Sequence, residues 1–248
     1  MKTAALIQTD PELAAAVPAA ERDAAARACV AATVQLPRGD WAGWRPEADA
    51  EPQGFGLLVL EGLLCRRVAQ GAHSGAELLG PGDLLRPWDE VAGWATLPTE
   101  ASWEVIQPAT IAVLDRQFSR RAAPYPGISE TLMRRATLRS RYLAILAAIV
   151  SQRRLETRLH MLFWHLADRF GRMRGEWVQI SLPLTHALLA DLVAARRPSV
   201  STALSKLQEQ GLLVREVNGW RLSGTVPHEY TELTPGATAE EPRSGLGG

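Results

Sequence analysis

The chain has 248 residues, of which 46% are hydrophobic and 22% charged, so it is long enough for one large globular domain or two ordinary ones. It contains no run of 18 apolar residues, and its N-terminus does not join a basic segment to an apolar one. Both features argue against a membrane span and a secretory signal, and they predict a cytoplasmic protein. Two cysteines are too few for a disulfide framework, a four-ligand metal site or an iron–sulfur cluster.

The net charge of zero hides an uneven distribution along the chain. Residues 1–126 carry 11 Lys and Arg against 16 Asp and Glu, a net charge of −5. Residues 127–223 carry 15 against 7, a net charge of +8, and residues 224–248 carry 1 against 4. Polyanions bind to cationic surfaces, so this distribution indicates that only the second half of the chain binds a polyanion.

The first half has the texture of a β structure that follows a short alanine-rich helix. Short apolar runs alternate with Gly and Pro, and Glu61-Gly62 reads as a tight turn between two strands. The predicted strands cover residues 55–60, 63–68, 78–83 and 110–114. This spacing predicts an antiparallel barrel or sandwich.

After Pro126 the pattern becomes helical. Six residues follow a 4-3-4-3-4 spacing, which is typical of a helix that pairs with its own copy. They are Leu132, Ala136, Arg139, Leu143, Leu146 and Val150. The alternative is a helix packed on its own barrel through a face that includes Ile145 and Ile149; the length of the run favours a dimer interface.

Residues 185–213 predict two short helices joined by a tight turn, a helix-turn-helix. Thr185 is a good N-cap for the first helix, and the turn ends at Arg196. The second helix starts near Arg197, with Pro198 in its first turn, where the missing N–H costs nothing.

Helical geometry gives the second helix an outward face. At about 100° per residue, Pro198, Thr202 and Ser205 point away from the apolar face, and Ser201 lies on its flank. An arginine at the N-terminal end and small polar groups along this face suit a helix that enters the major groove of DNA. Asn218-Gly219 between two strand-like runs predicts a hairpin, so the unit is a winged helix. The alternative is a helical hairpin that binds nothing.

The chain resembles the Crp/Fnr family of transcription regulators over about residues 30–223. The most specific stretch begins at Arg197 and reads Arg-Pro-Ser-Val-Ser-Thr-Ala-Leu-Ser-Lys-Leu. Supporting motifs are Leu60-Glu-Gly62, Gly80-Pro-Gly-Asp83 and Leu166-Ala-Asp-Arg-Phe-Gly171. The resemblance implies an α+β fold with an N-terminal cyclic-nucleotide-binding-like antiparallel β-barrel, a long dimerisation helix and a C-terminal winged helix-turn-helix.

The domain boundaries expected on this basis are a sensor domain at 1–126, the dimerisation helix at 127–153, and the DNA-binding domain at 154–224. Residues 225–248 lack periodicity and are rich in Pro, Gly, Thr and Glu, which predicts a disordered tail.

The resemblance also implies which residues touch DNA. Arg197 takes the position of a guanine-reading arginine, and Pro198 and Thr202 take those of two other base-facing residues. Positions that touch phosphates match Thr185, His186, Arg196 and Ser199, and Ser201 flanks this surface. Arg196 is a departure, because relatives usually place Ser or Thr there as the helix cap. The partners implied are a palindromic double-stranded DNA operator, a second copy of the chain and RNA polymerase.

The resemblance argues against cyclic AMP as the effector. In cyclic-AMP-binding relatives a Gly-Glu-Leu turn and an Arg-Ser pair hold the ribose and the phosphate. Here Arg86-Pro87-Trp88 and Glu100-Ala101 stand at those positions. Because a carboxylate repels a phosphate, we expect no binding of cyclic AMP in the usual mode.

Cyclic di-GMP is a second candidate effector. Five tryptophans lie in the first half, and Arg86-Pro-Trp-Asp89 has the Arg-x-x-Asp spacing of sites for that ligand. The candidate effector residues are therefore Arg66, Arg86, Trp88 and Asp89. The alternative, core tryptophans beside a solvated basic rim, is the favoured one. Cys65 and His73 form a weak candidate for haem, and neither haem nor a metal is expected.

The sequence carries no pattern of an enzyme. The five histidines show no metal-ligand spacing with acidic partners, and there is no Gly-rich phosphate loop or nucleophile elbow. Two hypotheses follow. The first is a homodimeric, sequence-specific DNA-binding transcription regulator with a divergent sensor. The second is a ligand-binding module, for example for cyclic di-GMP, that has lost specific DNA binding.

Overall fold

A computed structural model of the chain describes residues 2–42, 54–71, 73–88, 99–227 and 230. Within these ranges an N-terminal antiparallel sheet with small helices is followed by a long helix, and then by a small domain of three helices and a four-stranded sheet. This is the architecture that the sequence predicts. Trp44, Asp89, Trp94, the side chain of His73 and most of the expected C-terminal tail lie outside the described residues.

Among the described residues, the N-terminal sheet has seven strands in the order β1-β2-β7-β4-β5, with β3 paired to β7 and β6 paired to β4. The strands are β1 (Lys2–Ala5), β2 (Val30–Leu36), β3 (Gly39–Trp41), β4 (Gly54–Gln70), β5 (His73–Leu79), β6 (Leu84–Leu85) and β7 (Glu100–Asp115). The two long strands β4 and β7 pair along most of their length, and four register shifts bend β4 around the core.

The predicted tight turn at Glu61-Gly62 is wrong. Gly62 has φ +92 and lies within the continuous strand β4, and both halves of β4 pair with β7. A Cβ at Gly62 would lie 2.4 Å from the carbonyl oxygen of Pro108, so the close approach of the two strands requires glycine here. The hairpin turn lies instead between β4 and β5, around Gly71.

Small N-terminal helices cover one end of the sheet: α1 (Leu6–Thr9), α2 (Pro11–Ala15) and α3 (Arg22–Ala28), with α4 (Arg116–Ala122) following β7. They share a hydrophobic core with the start of the long helix α5 (Pro126–Val150). Asp10 caps α2 and also accepts two hydrogen bonds from Arg135 of α5. The N-terminal segment is thereby fixed to α5 by apolar contacts and by charge.

The C-terminal domain begins with α6 (Leu155–Phe170) and continues through β8 (Gly171–Arg174), β9 (Trp177–Ile180), α7 (His186–Leu192), α8 (Arg197–Glu209), β10 (Leu213–Glu216) and β11 (Gly219–Ser223). Its sheet has the order β10-β11-β9-β8. One continuous hydrophobic cluster includes Phe163 and Trp220 of this domain as well as Leu63 and Ile106 of the N-terminal sheet. The two domains therefore pack against each other. None of the helices in the described part of the chain combines the length and apolar character that a membrane span requires.

Candidate DNA interface and sensor cavity

Helices α7 and α8 form the predicted helix-turn-helix. The Thr185 hydroxyl accepts a hydrogen bond of 3.1 Å from the backbone N–H of Leu188, which caps α7 as the sequence predicts. In the turn Ala194 has φ 50, a left-handed conformation without glycine. Arg196 is the N-cap residue of α8, but its side chain makes no cap hydrogen bond. The guanidinium of Arg196 is therefore not used to begin the helix.

The outward surface of α8 is open. Val200, Leu204 and Leu207 are buried in the domain core. The residues with exposed side chains are Arg196, Arg197, Pro198, Ser199, Thr202 and Ser205. Across the ranges that the structure describes, no carboxylate forms an ion pair with Arg196 or Arg197. Two uncommitted cations thus lie at the N-terminal end of an exposed helix, as a DNA contact requires.

Ser201 has a different environment from the other residues of this surface. Its hydroxyl donates to the carbonyl oxygen of Arg197 at 3.1 Å, and its oxygen lies 2.8 Å from Nδ1 of His186 on α7. The pair His186–Ser201 therefore joins the two helices, and the sequence motif gave no sign of this contact.

The hairpin β10–β11 forms the predicted wing. Arg215 lies over the ring of Trp220 at 4.6 Å and donates to the carbonyl oxygen of Leu184. Arg221 lies over the ring of Trp177 at 4.1 Å. These cations support the fold through cation–π contacts, and Val217 at the wing tip is fully exposed.

The DNA-binding domain is tied to the sensor by charged side chains. Arg67 of β4 forms ion pairs with Glu104 of β7 and with Asp191 of α7, each at 2.8 Å. The neighbouring strand β5 also contacts α7. The orientation of the helix-turn-helix therefore depends on groups of the sensor sheet that sequence analysis did not connect with it.

The candidate effector residues lie in two separate environments. Arg66 bonds Glu77 at 3.0 Å and lies over Trp103, whereas Arg86 donates to the carbonyl oxygen of Gly54 at 2.7 Å and lies over Trp88. Trp41, Trp88 and Trp103 contribute to one hydrophobic cluster inside the sheet.

Glu77 is a buried charged residue that the sequence analysis did not single out. The structure places Glu77 in β5, buried on the same side as Leu79. Its carboxylate bonds Arg66 of β4 and Arg139 of α5. The sequence did carry one sign of this position. Glu77 lies two residues before Leu79 in a strand, and side chains two residues apart in a strand lie on the same face.

The six residues of the expected dimer interface do not form one surface. Leu132 is fully buried against the N-terminal helices, and Arg139 bonds Glu77 and the carbonyl oxygen of Leu84. These two residues are corrected from a partner-facing role to an intrachain one, because α5 packs on its own sensor along this stripe. Leu146 and Val150 are half-buried, while Ala136 and Leu143 are exposed.

The exposed face of α5 is rotated from the predicted one. It carries Met133, which is 69% exposed, and Leu143, which is 38% exposed. Ala136, Ser140 and Ala147 lie between and beyond them with exposed side chains. Of the two residues expected on the intrachain face, Ile149 is buried and Ile145 is 36% exposed.

Cys65 is buried in β4. Burial raises the pKa of its thiol to about 12. Within the described ranges, no group of three or more His, Cys, Asp and Glu side chains is arranged to hold a metal ion.

Known proteins match both parts of the chain. The family model of the Crp-like helix-turn-helix domain matches residues 157–223. A CRP-like cAMP-activated global transcriptional regulator of Mycobacterium tuberculosis is 28% identical over 167 residues, which cover 66% of this chain and 73% of the relative.

Solved structures share the fold. A cyclic nucleotide-binding domain containing protein from Listeria monocytogenes superposes with a TM-score of 0.63 at 14% identity, over 77% of this chain and 88% of that one. A mutant of CooA from Carboxydothermus hydrogenoformans superposes with a TM-score of 0.60 at 16% identity, over 82% and 87%.

The fold and the open face of α8 define a winged helix-turn-helix domain that follows an N-terminal domain with a cyclic-nucleotide-binding-like fold. Residues 157–223 form a Crp-like helix-turn-helix domain, and the resemblance to Crp/Fnr regulators seen in the sequence is confirmed.

Proposed function

We propose that the chain acts as a homodimer that reads a palindromic operator with α8 and controls transcription by RNA polymerase. The observation that carries this proposal is the pair Arg196–Arg197, exposed and without a carboxylate partner among the described residues. A guanidinium at the start of α8 can donate two parallel hydrogen bonds to O6 and N7 of guanine, which assigns base reading to Arg197. Pro198 and Thr202 lie on the same exposed face and would meet neighbouring base edges.

The remaining contacts position the helix on the phosphate backbone. Arg196 supplies a second cation, and Ser199 lies exposed in the first turn of α8. The Thr185 hydroxyl uses an oxygen lone pair to cap α7, which leaves its proton for a phosphate oxygen. Such contacts fix register but carry no base information. Ser201 and His186 act together by holding α8 on α7.

The dimer is proposed to form through the exposed face of α5, at Met133, Ala136, Ser140, Leu143 and Ala147. A two-fold axis along α5 would place the two reading helices one helical turn of DNA apart, ~34 Å. An exposed apolar stripe on a long helix is the surface that helix pairing buries.

We also propose that cyclic AMP is not the effector. β7 runs without a break from Glu100 to Asp115, and Glu100 at its start is exposed. Arg66 and Arg139, which lie nearer the long helix, are engaged with Glu77. A phosphate bound beside Glu100 would be repelled by its carboxylate, and Arg66 and Arg139 are already paired with Glu77.

The test measures two properties of the protein: the DNA sequence that it selects, and the dependence of its affinity for that sequence on salt concentration. The wild-type protein is selected against randomised DNA, and its affinity for the enriched sequence is measured over a range of salt concentrations. We expect a palindromic motif and a steep loss of affinity with salt, because bound cations release counterions. The double variant Arg196→Ala/Arg197→Ala should lose both.

Arg120→Ala is the matched control, since Arg120 is an exposed arginine on α4 of the sensor. It should bind the operator like the wild type. An absence of any enriched motif for the wild-type protein would instead favour a ligand-binding module without specific DNA binding. A saturable thermal shift with micromolar cyclic AMP would overturn the effector part of the proposal.

A further inference from the structure

A buried carboxylate lies between two arginines where the sensor sheet meets the long helix. Glu77 of β5 is 6% exposed. Oε1 of Glu77 lies 2.6 Å from Nη2 of Arg139 and 3.0 Å from Nη1 of Arg66, and Oε2 accepts from Nε of Arg139 at 3.1 Å. Both carboxylate oxygens are therefore held, and Arg139 binds in the two-pronged geometry that guanidinium groups use for oxyanions.

The three charged residues come from three different elements. Arg66 belongs to β4, Glu77 to β5 and Arg139 to α5. Arg139 also donates to the carbonyl oxygen of Leu84 in β6 at 3.1 Å, and Arg66 lies over the ring of Trp103. Glu77 thus connects the β4–β5 hairpin to the long helix α5, and Arg139 extends this connection to β6.

Charge explains why an anion is required at this position. The side chains of Arg66 and Arg139 are each 23% exposed, so both cations are largely removed from water. Without Glu77 the two guanidinium groups that share its Oε1 would repel each other in a medium that screens their charges poorly. The chain supplies the anion from its own strand.

We infer that Glu77 is an internal counter-anion that occupies an oxyanion site formed by Arg66 and Arg139. In the wild-type chain this site is closed to phosphate-bearing ligands, and truncation of Glu77 converts it into a binding site for phosphate. The sensor sheet is thereby held on α5 without an anionic effector. This inference concerns the sensor alone and does not depend on DNA binding.

The surroundings provide space and access for a phosphate ion. A cavity of about 390 Å³ borders Glu77 and Arg66, and a smaller one of about 30 Å³ borders Glu77 and Arg139. Truncation to alanine removes a carboxylate and one methylene, which together approach the size of phosphate. Phosphate can accept a bidentate pair of hydrogen bonds from Arg139, as the carboxylate does, and a further hydrogen bond from Arg66.

The experiment measures binding of inorganic phosphate to the full chain by calorimetry and by thermal shift, with chloride at equal ionic strength as the reference. Glu77→Ala should bind phosphate saturably and gain melting temperature. The wild type should bind at least about tenfold more weakly. Glu104→Ala is the matched control, because Glu104 is paired with an arginine, Arg67, on the more exposed side of the sheet. This control should behave like the wild type.

Two further variants locate the effect. Glu77→Ala/Arg139→Ala should lose the phosphate binding gained by the single variant. Glu77→Gln should not bind phosphate, because the amide fills the same space. The inference is overturned if the wild type binds phosphate as tightly as Glu77→Ala, if Glu77→Ala does not bind it, or if either further variant matches Glu77→Ala.

Glu77→Ser serves as the second truncation, in case loss of the carboxylate unfolds the chain. Both truncated proteins are then refolded from urea with and without phosphate. Refolding that depends on phosphate supports the inference, since the ion replaces the missing anion. Failure to refold in phosphate contradicts it.

Discussion

Arg169 near the end of α6 donates to the buried carboxylate of Asp83 in the turn after β5, at 2.5 Å. The two side chains are 14% and 7% exposed, so this ion pair between sensor and DNA-binding domain is shielded from water. Arg169 also lies over the ring of Tyr142 in the long helix at 4.9 Å. A Cβ on Gly80 in the same turn would lie 2.7 Å from the ring of Phe170, so the turn and the end of α6 are in close contact. The turn cannot move without affecting the first helix of the DNA-binding domain.

Breaking this ion pair is expected to cost much more stability than breaking an exposed one. Asp83→Asn leaves Arg169 as a buried charge without its anion, so unfolding free energy should fall by about 3–5 kcal/mol. Urea denaturation of the full chain measures this loss. Lys206→Ala removes an exposed pair with Glu156 and should cost less than about 1 kcal/mol. Equal losses in the two variants would contradict the importance assigned to the interdomain pair.

Arg197 and Arg196 should fail in different ways when each is changed to alanine. Arg197→Ala should flatten the preference at one guanine per half-site, a loss of about 1–3 kcal/mol in discrimination. Arg196→Ala should weaken all sequences alike and reduce the salt slope by about 1 per half-site. Selection on randomised DNA, combined with affinity measured against salt, separates the two effects. If Arg197→Ala enriches the wild-type motif with equal stringency, α8 is oriented on DNA differently from our proposal.

The rotated face of α5 gives a sharp test of dimerisation. Met133→Asp together with Leu143→Asp puts two charges on the exposed face, and we expect a monomer in analytical ultracentrifugation with much weaker operator binding. Ile145→Asp is the control on the same helix. It lies about 200° around the helix from Leu143 and is also partly exposed, so the dimer should persist. A double variant that stays dimeric would place the interface elsewhere.

The contact between the N-terminal segment and α5 should depend on pH. Burial raises the pKa of Asp10, but hydrogen bonds from Arg135 and from the backbone N–H of Leu13 more than offset this and leave it below the ordinary value of 3.8. The stabilisation is therefore fully present above that value and is lost as pH falls through the lower pKa of the folded state.

Asp10→Asn is the matching variant, because asparagine keeps the helix cap while it removes the charge. It should destabilise the chain by about 1.5–3 kcal/mol at pH 7, and the difference from wild type should shrink below pH 4. Urea denaturation at pH 7 and at pH 3 measures both values. Asp23→Asn changes an exposed aspartate on α3 and should have little effect at either pH. A loss for Asp10→Asn that does not change with pH would contradict the ionic contribution.

The DNA-binding domain could be predicted from the sequence because its signals are local. Thr185 caps α7, Pro198 lies in the first turn of α8, and Gly211 with φ +71 follows the end of α8. The wing turns at Val217 and Asn218, directly before Gly219 at the start of β11. Each of these residues determines the conformation of the chain only a few positions away from it. The sequence alone therefore specifies the helices, the turn and the wing. The strand texture of the first half predicted an antiparallel sheet for the same reason.

Only the tertiary structure decided which long-range partners the charged and apolar side chains meet. Arg139 has the spacing of a dimer interface, yet it reaches Glu77, which lies 62 positions away. Glu61-Gly62 has the composition of a turn, yet β7 pairs on both sides of it and keeps β4 continuous. Pattern within a segment determines its local conformation. The neighbour that a side chain meets depends on how distant segments are brought together, because burial of apolar surface and pairing of buried charges are satisfied only across the whole fold.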